Sequence, residues 1–341
     1  MRTATISVAF QTDKPPGAYA RLAATAEALG FDGVSTFHDL GYQPSLPALL
    51  EMAAATTRVR LGAAGLNPTL THPYEIAGQV AALDAASRGR AYLGLVRGAW
   101  LDRVGAADAD RPLQRLEEAV AVVRRLLAGD DRGYDGRTYR LAPGFRLAYR
   151  RQRAGVDVLL GTWGPKGTIL AGRVAEELKL GGSANPDLVR LVRARLDDAA
   201  ATAGRDPMAV GLVAGAVTVV DEDGAAARRQ ARREVAMYLD VVAGLDPTVA
   251  VEADVRARLR AALDAGDPEA AAASVPDELL GRFAFAGDPD AVARHAAALV
   301  EAGASRIEFG TPHGLDAGRG VELLGRRVLP AVRAAFPVPA A

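Results

Sequence analysis

Two polar side chains stand at the end of a short apolar run and could do chemistry there. In VSTFHDLGYQP (34–44), His38 lies directly beside Asp39. A histidine and a carboxylate can exchange protons near neutral pH, so the pair is a candidate for acid–base catalysis or for holding a cofactor. The bland alternative is two polar residues in a loop. Adjacent residues of a strand end point to opposite sides, which argues against a dyad acting on one substrate atom.

Two glycine-rich turns are candidates for binding an anion. GTWGPKG (161–167) leads into a predicted helix and contains Lys166, one of only three lysines in the chain. GGSANP (181–186) leads into another helix and adds the hydroxyl of Ser183. Free N–H groups and the dipole at a helix N-terminus favour negative charge, and neighbouring barrel loops often form a phosphate site in this way. The alternative is that both turns are simple connections in which glycine serves the turn geometry.

The composition argues against several other kinds of chemistry. The chain has 341 residues, no cysteine, and 41 basic residues against 41 acidic ones. Without cysteine there are no disulfides, thiolate metal sites or cysteine nucleophiles. A net charge of zero argues against nucleic acid and acidic membrane surfaces as partners. The four histidines are widely scattered, so we expect no metal site. No nucleophile elbow of a serine hydrolase is present.

The sequence also lacks the apolar segments of a membrane protein. No apolar run reaches the roughly 18 residues that a membrane-spanning helix needs. The N-terminal stretch MRTATISVAF has no h-region followed by a small-residue cleavage site. We therefore expect a cytoplasmic protein.

Short apolar runs alternate with longer amphipathic stretches along the chain. The runs predict eight strands, at 3–10, 32–37, 59–65, 90–96, 156–162, 177–182, 209–220 and 304–310. Helices are predicted between them, at 17–30, 45–57, 73–86, 111–129, 164–175 and 185–204. Eight strands alternating with helices require parallel pairing through right-handed crossovers. We therefore expect an α/β fold with a single (β/α)8 barrel domain over 1–341, with a doubly wound open sheet as the alternative.

Two segments are longer than a connection requires. Residues 131–155 are rich in glycine and aromatic residues, and residues 244–287 form a predicted helical insertion after the seventh strand. Loops that follow barrel strands build the active-site face, so both insertions are expected to wall a substrate pocket. By the same rule Phe10, Gln11 and His313 follow strands and are candidates for contacting the substrate.

Four segments in order resemble the bacterial-luciferase-like superfamily. They are ALGFDGVSTFHD, RVRLGAAGLNPTLTHPYEIAGQVAALDAASRGRAYLGLVRG, LLGTWGPKGTILAGRVAEELKLGG and FGTPHG. Within that superfamily the sequence is most similar to the coenzyme F420-dependent methylenetetrahydromethanopterin reductases, over nearly the whole chain. The resemblance implies a homodimeric barrel that uses reduced coenzyme F420, a deazaflavin, with FMN as the alternative carrier.

The resemblance also implies where the cofactor lies. It places the deazaflavin ring against a bulge after the third strand, with a non-proline cis peptide at Ala64–Gly65. It places the phosphate-bearing tail at the first glycine-rich turn, with the second turn nearby. The residues implied to bind the cofactor are His38, Asp39, Ala63, Ala64, Gly65, Asn67, Leu95, Val96, Arg97, Gly98, Thr162, Trp163, Gly164, Pro165, Lys166, Gly181, Gly182 and Ser183. His38 and His313 are the candidate catalytic proton donors.

The sequence departs from the family pattern in two places. Family members have Asp and then His after the second strand, whereas this chain has His38 and then Asp39. Pterin reductases of this type carry a glutamate on the first strand, and the aligned position here is Ala9, with no carboxylate before Asp13. The loss of that acid argues against a pterin substrate.

These observations together predict an oxidoreductase. We expect hydride transfer from reduced F420 to an activated C=N or C=C bond of a small molecule or peptide natural-product intermediate. Three alternatives stay open. They are a methylenetetrahydropterin or methylenetetrahydrofolate reductase with a relocated acid, an FMN-dependent monooxygenase, and a non-catalytic flavin-binding barrel.

Overall fold

Parallel strands alternating with helices form the core of the molecule. The computed structural model describes residues 4–106 and 111–336. The strands are β1 (Thr5–Phe10), β2 (Gly33–Thr36), β3 (Arg60–Ala63), β4 (Tyr92–Val96), β5 (Tyr134–Asp135), β6 (Arg140–Leu141), β7 (Asp157–Gly161), β8 (Glu177–Gly181), β9 (Gly211–Val220), β10 (Ala284–Gly287) and β11 (Arg306–His313). The helices are α1 (Ala18–Ala28), α2 (Ser45–Ala54), α3 (Pro73–Ala86), α4 (Pro112–Ala128), α5 (Pro165–Val174), α6 (Pro186–Thr202), α7 (Gly224–Ala236), α8 (Leu239–Ala243), α9 (Ala253–Asp264), α10 (Pro268–Ala273), α11 (Asp277–Phe283), α12 (Pro289–Glu301), α13 (Ala317–Leu323) and α14 (Leu329–Ala335).

The main sheet is wound into a nearly closed barrel. Its strand order is β3-β2-β1-β11-β9-β8-β7-β4, and β10 adds a further pairing to β9. All of these pairings are parallel. Isolated parallel bridges, Leu61 to Ala91 and Leu66 to Leu95, join β3 to β4. The predicted α/β barrel is therefore confirmed, and each of the eight predicted strands corresponds to a strand of this sheet.

The strands are buried on both faces, which explains their continuous apolar runs. Five of the six residues of β1 and all four residues of β2 are buried. A parallel barrel covers one face of each strand with helices and fills the other with interior side chains, so alternation of polar and apolar residues is lost. The covering helices present apolar stripes, as in α4, where Leu116, Val120 and Val123 are buried.

Glycine permits the close approach of β3 and β4 at the closing point. A methyl group on Gly65 would lie 2.6 Å from the carbonyl carbon of Gly94, and one on Gly94 would overlap the carbonyl oxygen of Ala63. Any side chain larger than hydrogen at these positions would push the two strands apart. The bridges that complete the barrel therefore depend on these glycines.

Charged side chains fill part of the barrel interior. Lys179 of β8 forms an ion pair with Glu308 of β11, and both side chains are at least 95% buried. The other carboxylate oxygen of Glu308 accepts hydrogen bonds from Ser35 Oγ at 2.7 Å and from Ser7 Oγ at 3.3 Å. One carboxylate thus connects strands β1, β2, β8 and β11 across the interior.

The sequence prediction did not include strands β5, β6 and β10 or helices α7, α8, α13 and α14. Strand β10 lies at the end of the 244–287 insertion, which is otherwise helical through α9, α10 and α11 as expected. The segment 131–155 contains the antiparallel hairpin β5–β6. Helices α7 to α11 share a hydrophobic cluster of their own, to which Trp163 of the barrel also packs.

The division of the chain into a single domain stays a prediction. No helix in the described part of the chain is long and apolar enough to cross a membrane.

The glycine requirement at the closing point can be tested with Gly94→Ala. We expect this change to lower the free energy of unfolding by about 1–3 kcal/mol, because overpacking forces the two strands apart. Urea unfolding measures the difference. The matched control is Gly281→Ala in α11, where a methyl group meets no atom within 4 Å. Equal unfolding midpoints for the two variants would contradict the close-packing argument.

The interior ion pair can be tested by removing one partner and then both. Glu308→Leu leaves the Lys179 charge unpaired in the barrel, and we expect it to cost about 3–5 kcal/mol of unfolding free energy. The double change Lys179→Met/Glu308→Leu removes both charges of the pair, so most of that loss should be recovered. Urea unfolding of the two variants gives the comparison. A double variant no more stable than the single one would show that charge pairing is not what the interior requires.

Candidate functional site

The predicted site residues lie at the carboxyl ends of barrel strands. Phe10 and Gln11 end β1, His38 and Asp39 follow β2, and the sequence Ala63 to Asn67 ends and follows β3. The remaining groups are Leu95 to Gly98 at β4, Thr162 to Lys166 after β7, Gly181 to Ser183 at β8, and His313 at the end of β11. Since the sheet is parallel, all of these groups surround one opening of the barrel, which we call the mouth.

The end of β3 forms one wall of the mouth. The peptide between Ala64 and Gly65 is cis, as the resemblance implied. Ala64 is partly exposed in this bulge, whereas Ala63 and Gly65 are buried. Asn67 fixes the chain that follows, because its Nδ2 donates to the Arg97 carbonyl at 2.6 Å. The bulge thus offers backbone and one methyl group to a ligand, on a support that is tied to the neighbouring strand.

Residues at the end of β4 divide between the core and the mouth. Leu95 is fully buried and belongs to the hydrophobic core. Val96 is partly exposed, and Arg97 and Gly98 are exposed. A methyl group on Gly98 would lie 2.5 Å from Nδ2 of Asn67, and Gly98 has φ 79°. The structure therefore gives Leu95 a packing role, while the three residues after it are accessible at the mouth.

The N-terminus of α5 is open to an anion. Its N-cap residue, Gly164, provides no side-chain cap, and Pro165 occupies the first helical position. The N–H groups of the first turn of a helix lack intrahelical acceptors, so those of Lys166 and Gly167 are available to a ligand. Gly164, Pro165 and Lys166 are all exposed. Gly167 packs so closely on Thr162 that a methyl group there would overlap its hydroxyl.

The second glycine-rich turn is already occupied by internal hydrogen bonds. The N–H groups of Gly182 and Ser183 donate to the Gly215 carbonyl at 2.6 and 3.2 Å. Asn185 caps α6 by accepting from the Asp187 N–H at 3.0 Å. Ser183 is fully buried, and the carboxylate of Asp187 lies in the first helical turn. Of the two predicted anion sites, the geometry favours the N-terminus of α5.

His38 and Asp39 have different partners, as expected for adjacent residues at a strand end. Nδ1 of His38 lies 3.3 Å from the Ser45 N and 3.1 Å from Ser45 Oγ, at the start of α2. Burial lowers the pKa of His38, against the opposing effect of the Asp39 carboxylate. Asp39 is exposed and accepts from Gln11 Nε2 at 2.8 Å, so a carboxylate lies beside the end of β1.

His313 faces the barrel wall. Its side chain is buried, with Nε2 at 3.0 Å from the Ala9 carbonyl and its ring 5.1 Å from that of Phe10. Burial lowers the pKa of His313 to about 4, although the hydrogen bond with Ala9 opposes the shift. The structure gives His313 and Phe10 contacts with each other and with β1, and both are 1% exposed.

The sequence reasoning missed the polar floor of the mouth, which is the pair Lys179 and Glu308. Burial by itself would raise the pKa of Glu308, but the charges of Lys179 and Arg306 and the hydrogen bonds to the carboxylate lower it to about 2. Glu308 is therefore ionised at neutral pH. A signal was present, since Lys179 is one of three lysines in the chain and Glu308 interrupts an apolar strand. In residues 4–106 and 111–336 no three His, Asp or Glu side chains form a group that could hold a metal ion.

Comparison with known proteins gives a consistent result. Residues 2–306 match the family model described as luciferase-like monooxygenase. The chain is 30% identical to 5,10-methylenetetrahydromethanopterin reductase of Archaeoglobus fulgidus, over 90% of this chain and 93% of that protein. It is also 30% identical to F420-dependent glucose-6-phosphate dehydrogenase of Microbacterium testaceum, over 91% of this chain and 92% of that one.

A solved structure supports the fold. The structure of coenzyme F420-dependent tetrahydromethanopterin reductase from Methanopyrus kandleri superposes with a TM-score of 0.88 at 24% identity, covering 96% of this chain and 99% of that one. The barrel, the bulge after β3 and the match over most of the chain lead to one assignment. This chain is an enzyme of the luciferase-like monooxygenase family.

Proposed function

We propose that this enzyme is a reductase that transfers a hydride from reduced coenzyme F420 to an activated C=N or C=C bond of a small molecule or natural-product intermediate. The observation that carries the proposal is the uncapped, exposed N-terminus of α5 with Lys166, on the same mouth as the β3 bulge. The names of the relatives, which include F420-dependent enzymes, support the choice of carrier.

The residues present fit a deazaflavin with a phosphate-bearing tail. The N–H groups of Lys166 and Gly167 and the Lys166 ammonium supply donors and positive charge for the phosphate. The Ala63 to Gly65 bulge supplies a narrow wall against which one face of a flat ring can lie. His38 and Asp39 lie at the neighbouring edge of the mouth. When bound, the reduced carrier supplies the hydride, and the protein supplies position and exclusion of water.

A second candidate function is reduction of a methylene group on a tetrahydropterin or tetrahydrofolate. The similarity to 5,10-methylenetetrahydromethanopterin reductase favours it. The end of β1 argues against it, because Ala9 and Phe10 are apolar and buried. Asp13, the next carboxylate along the chain, is paired with Lys14 at 2.6 Å. The acceptor assay below distinguishes the two functions.

We include a homodimer in this proposal. Three exposed aromatic side chains lie close together on one surface of the molecule. Tyr74 and Phe145 have ring centroids 5.5 Å apart, and Tyr149 interacts with Tyr74. Light scattering of the purified protein gives the mass directly, and a monomer at micromolar concentration would contradict this part of the proposal.

The phosphate contact can be tested with Lys166→Met. We expect the dissociation constant for F420 to rise about tenfold, equivalent to about 1.4 kcal/mol, because one charge-assisted contact is lost. Absorbance titration of the cofactor measures the change. A deazaflavin nucleoside without the phosphate tail should bind the variant and the parent protein equally. The control is Lys14→Met, which removes the same charge elsewhere. Equal loss for both ligands, or none for F420, would contradict the assignment.

The carrier and acceptor class can be tested by mixing the protein with reduced F420 and candidate acceptors. We expect F420 to bind more tightly than FMN, and oxidation of reduced F420 to be driven by small imines and enones. Methylenetetrahydromethanopterin should react poorly, because a missing general acid typically costs about 10²–10⁴ in rate. Absorbance of oxidised F420 follows the reaction. Binding of FMN alone would reject the proposal, and rapid turnover of the pterin would favour the second candidate.

A further inference from the structure

One ammonium group lies inside the barrel, near the carboxyl ends of the strands. Lys179 enters from β8, and its stem passes over Gly215 of β9, where a methyl group would lie 3.3 Å from Cε. The ammonium meets Glu308 of β11. The side chain of Lys179 is 5% exposed and that of Glu308 is 1% exposed. The Cε of Lys179 also lies 3.8 Å from the position of a methyl group on Gly181, the last residue of β8, so the stem runs toward the mouth.

The carboxylate of this pair has all its partners, whereas the ammonium has capacity left. One oxygen of Glu308 accepts from Lys179, and the other accepts from Ser35 and Ser7. A lysine ammonium has three N–H donors. Within the described ranges, Glu308 is its one hydrogen-bond acceptor. The ammonium also makes a cation–π contact with the ring of Phe37, whose centroid lies 5.5 Å from Nζ. The ammonium can therefore donate a further hydrogen bond to an atom of a ligand.

Small residues on three strands flank the path between the ammonium and the mouth. Residues two positions apart on a strand share a face, so the next interior position toward the mouth can be read from each strand. That position is Gly181 in β8, Gly310 in β11 and Ala9 in β1, whereas in β9 it is Val217. The large neighbour is Phe37, which is partly exposed and whose ring lies 3.4 Å from the position of a methyl group on Gly310.

We infer that Lys179 binds the oxygen or nitrogen atom of the acceptor's reacting π system and donates a proton to it. The inference rests on the proposed function and narrows its substrate class. The acceptor is an imine, bound through its nitrogen, or a C=C bond conjugated to a carbonyl group, bound through the carbonyl oxygen. An isolated C=C bond gives the ammonium no atom to bind.

The proton transfer balances with the reduction. The acceptor carbon gains a hydride with its two electrons. In an imine the π electrons move to the nitrogen; in a conjugated C=C acceptor they move through the carbonyl group to its oxygen, and the enol formed there tautomerises to the saturated carbonyl compound in water. One N–H bond of Lys179 breaks, its electron pair stays on Nζ, and the proton forms a bond to the heteroatom. The neutral amine then takes a proton from water. The acceptor is reduced by two electrons and the carrier is oxidised by two.

The two histidines that the sequence suggested are less well placed for this step. His38 uses Nδ1 to bind the start of α2, and His313 is buried with Nε2 on the Ala9 carbonyl. Lys179 combines a charge held by Glu308 with a stem that runs toward the mouth. It is therefore a catalytic residue in this inference, and Glu308 is its positioning residue.

The first test asks whether the ammonium faces the mouth, and it needs no acceptor. The chain has three lysines, so reductive methylation with formaldehyde and cyanoborohydride can be followed at each one by mass spectrometry. We expect Lys179 to react in the folded protein, more slowly than Lys14, and to be protected at least tenfold by oxidised F420. The rate at Lys14 should not change with F420. Reaction of Lys179 only at the rate of global unfolding, or with no protection, overturns the inference.

The second test measures turnover of imine and enone acceptors. We expect Lys179→Met/Glu308→Leu to bind F420 within twofold of the parent protein and to lose about 10²–10⁴ in kcat, the usual worth of a general acid. Lys179→Arg keeps a donor but does not release a proton, so KM should stay close to that of the parent while kcat falls. Lys14→Met is the control with unchanged turnover. Turnover of the double variant within threefold of the parent overturns the inference.

The two proposals fail in different ways. A protein that binds no F420 rejects the proposed function, while the methylation rate of Lys179 in the same protein still shows whether the ammonium is reachable. A protein that binds F420 but reduces only acceptors without oxygen or nitrogen at the reacting bond leaves the proposed function standing and overturns the role of Lys179.

Discussion

A single buried ion pair connects the stability of this barrel to its chemistry. Lys179 and Glu308 are both nearly inaccessible, and either charge alone in the interior would be unfavourable by several kcal/mol. The hydrogen bonds of Glu308 to Ser7 and Ser35 spread this requirement over four strands. The same pair forms the floor of the mouth. Strand register and the position of the ammonium are therefore set by one interaction, and neither can change without the other.

The large interior side chains determine where the barrel must have glycine. The Lys179 stem requires Gly215 beneath it, and the Tyr92 ring lies 2.7 Å from the position of a methyl group on Gly62. Tyr92 in turn lies between the guanidinium groups of Arg60 and Arg306, at 5.4 and 5.1 Å from its centroid. The interior of an eight-stranded barrel is just wide enough to be filled by its side chains. A long residue on one strand is therefore matched by glycine on another strand at the same level. Several glycines that look like turn residues in the sequence are matched to interior side chains in this way.

The barrel could be predicted from the sequence because each strand is a continuous apolar run between turn residues, a local signal. Strand β10 was missed because its four residues follow α11 directly, without a turn between them. The cis bond at Ala64–Gly65 came from the family resemblance. The ion pair could not be predicted, because its members are 129 residues apart and each lies in an apolar run whose pattern says nothing about a partner. His313 follows a strand, as the sequence suggested, but its side chain turns to β1, which depends on backbone geometry that composition does not reveal.

The two glycine-rich turns show how tertiary contacts separate sites that look equivalent in sequence. Each turn precedes a helix, and each suggests an anion site by the same rule. At α6, however, Nδ2 of Asn185 donates to Asp246 at 2.7 Å and to Thr248 at 2.8 Å, and its Oδ1 accepts from Arg282. All three partners belong to the helical insertion, so the polar groups of this turn anchor the insertion beside the mouth. Of the two helices, α5 is the one whose N-cap residue provides no side-chain cap. The insertion therefore stabilises one wall of the mouth with the turn at α6 and leaves the turn at α5 to the ligand.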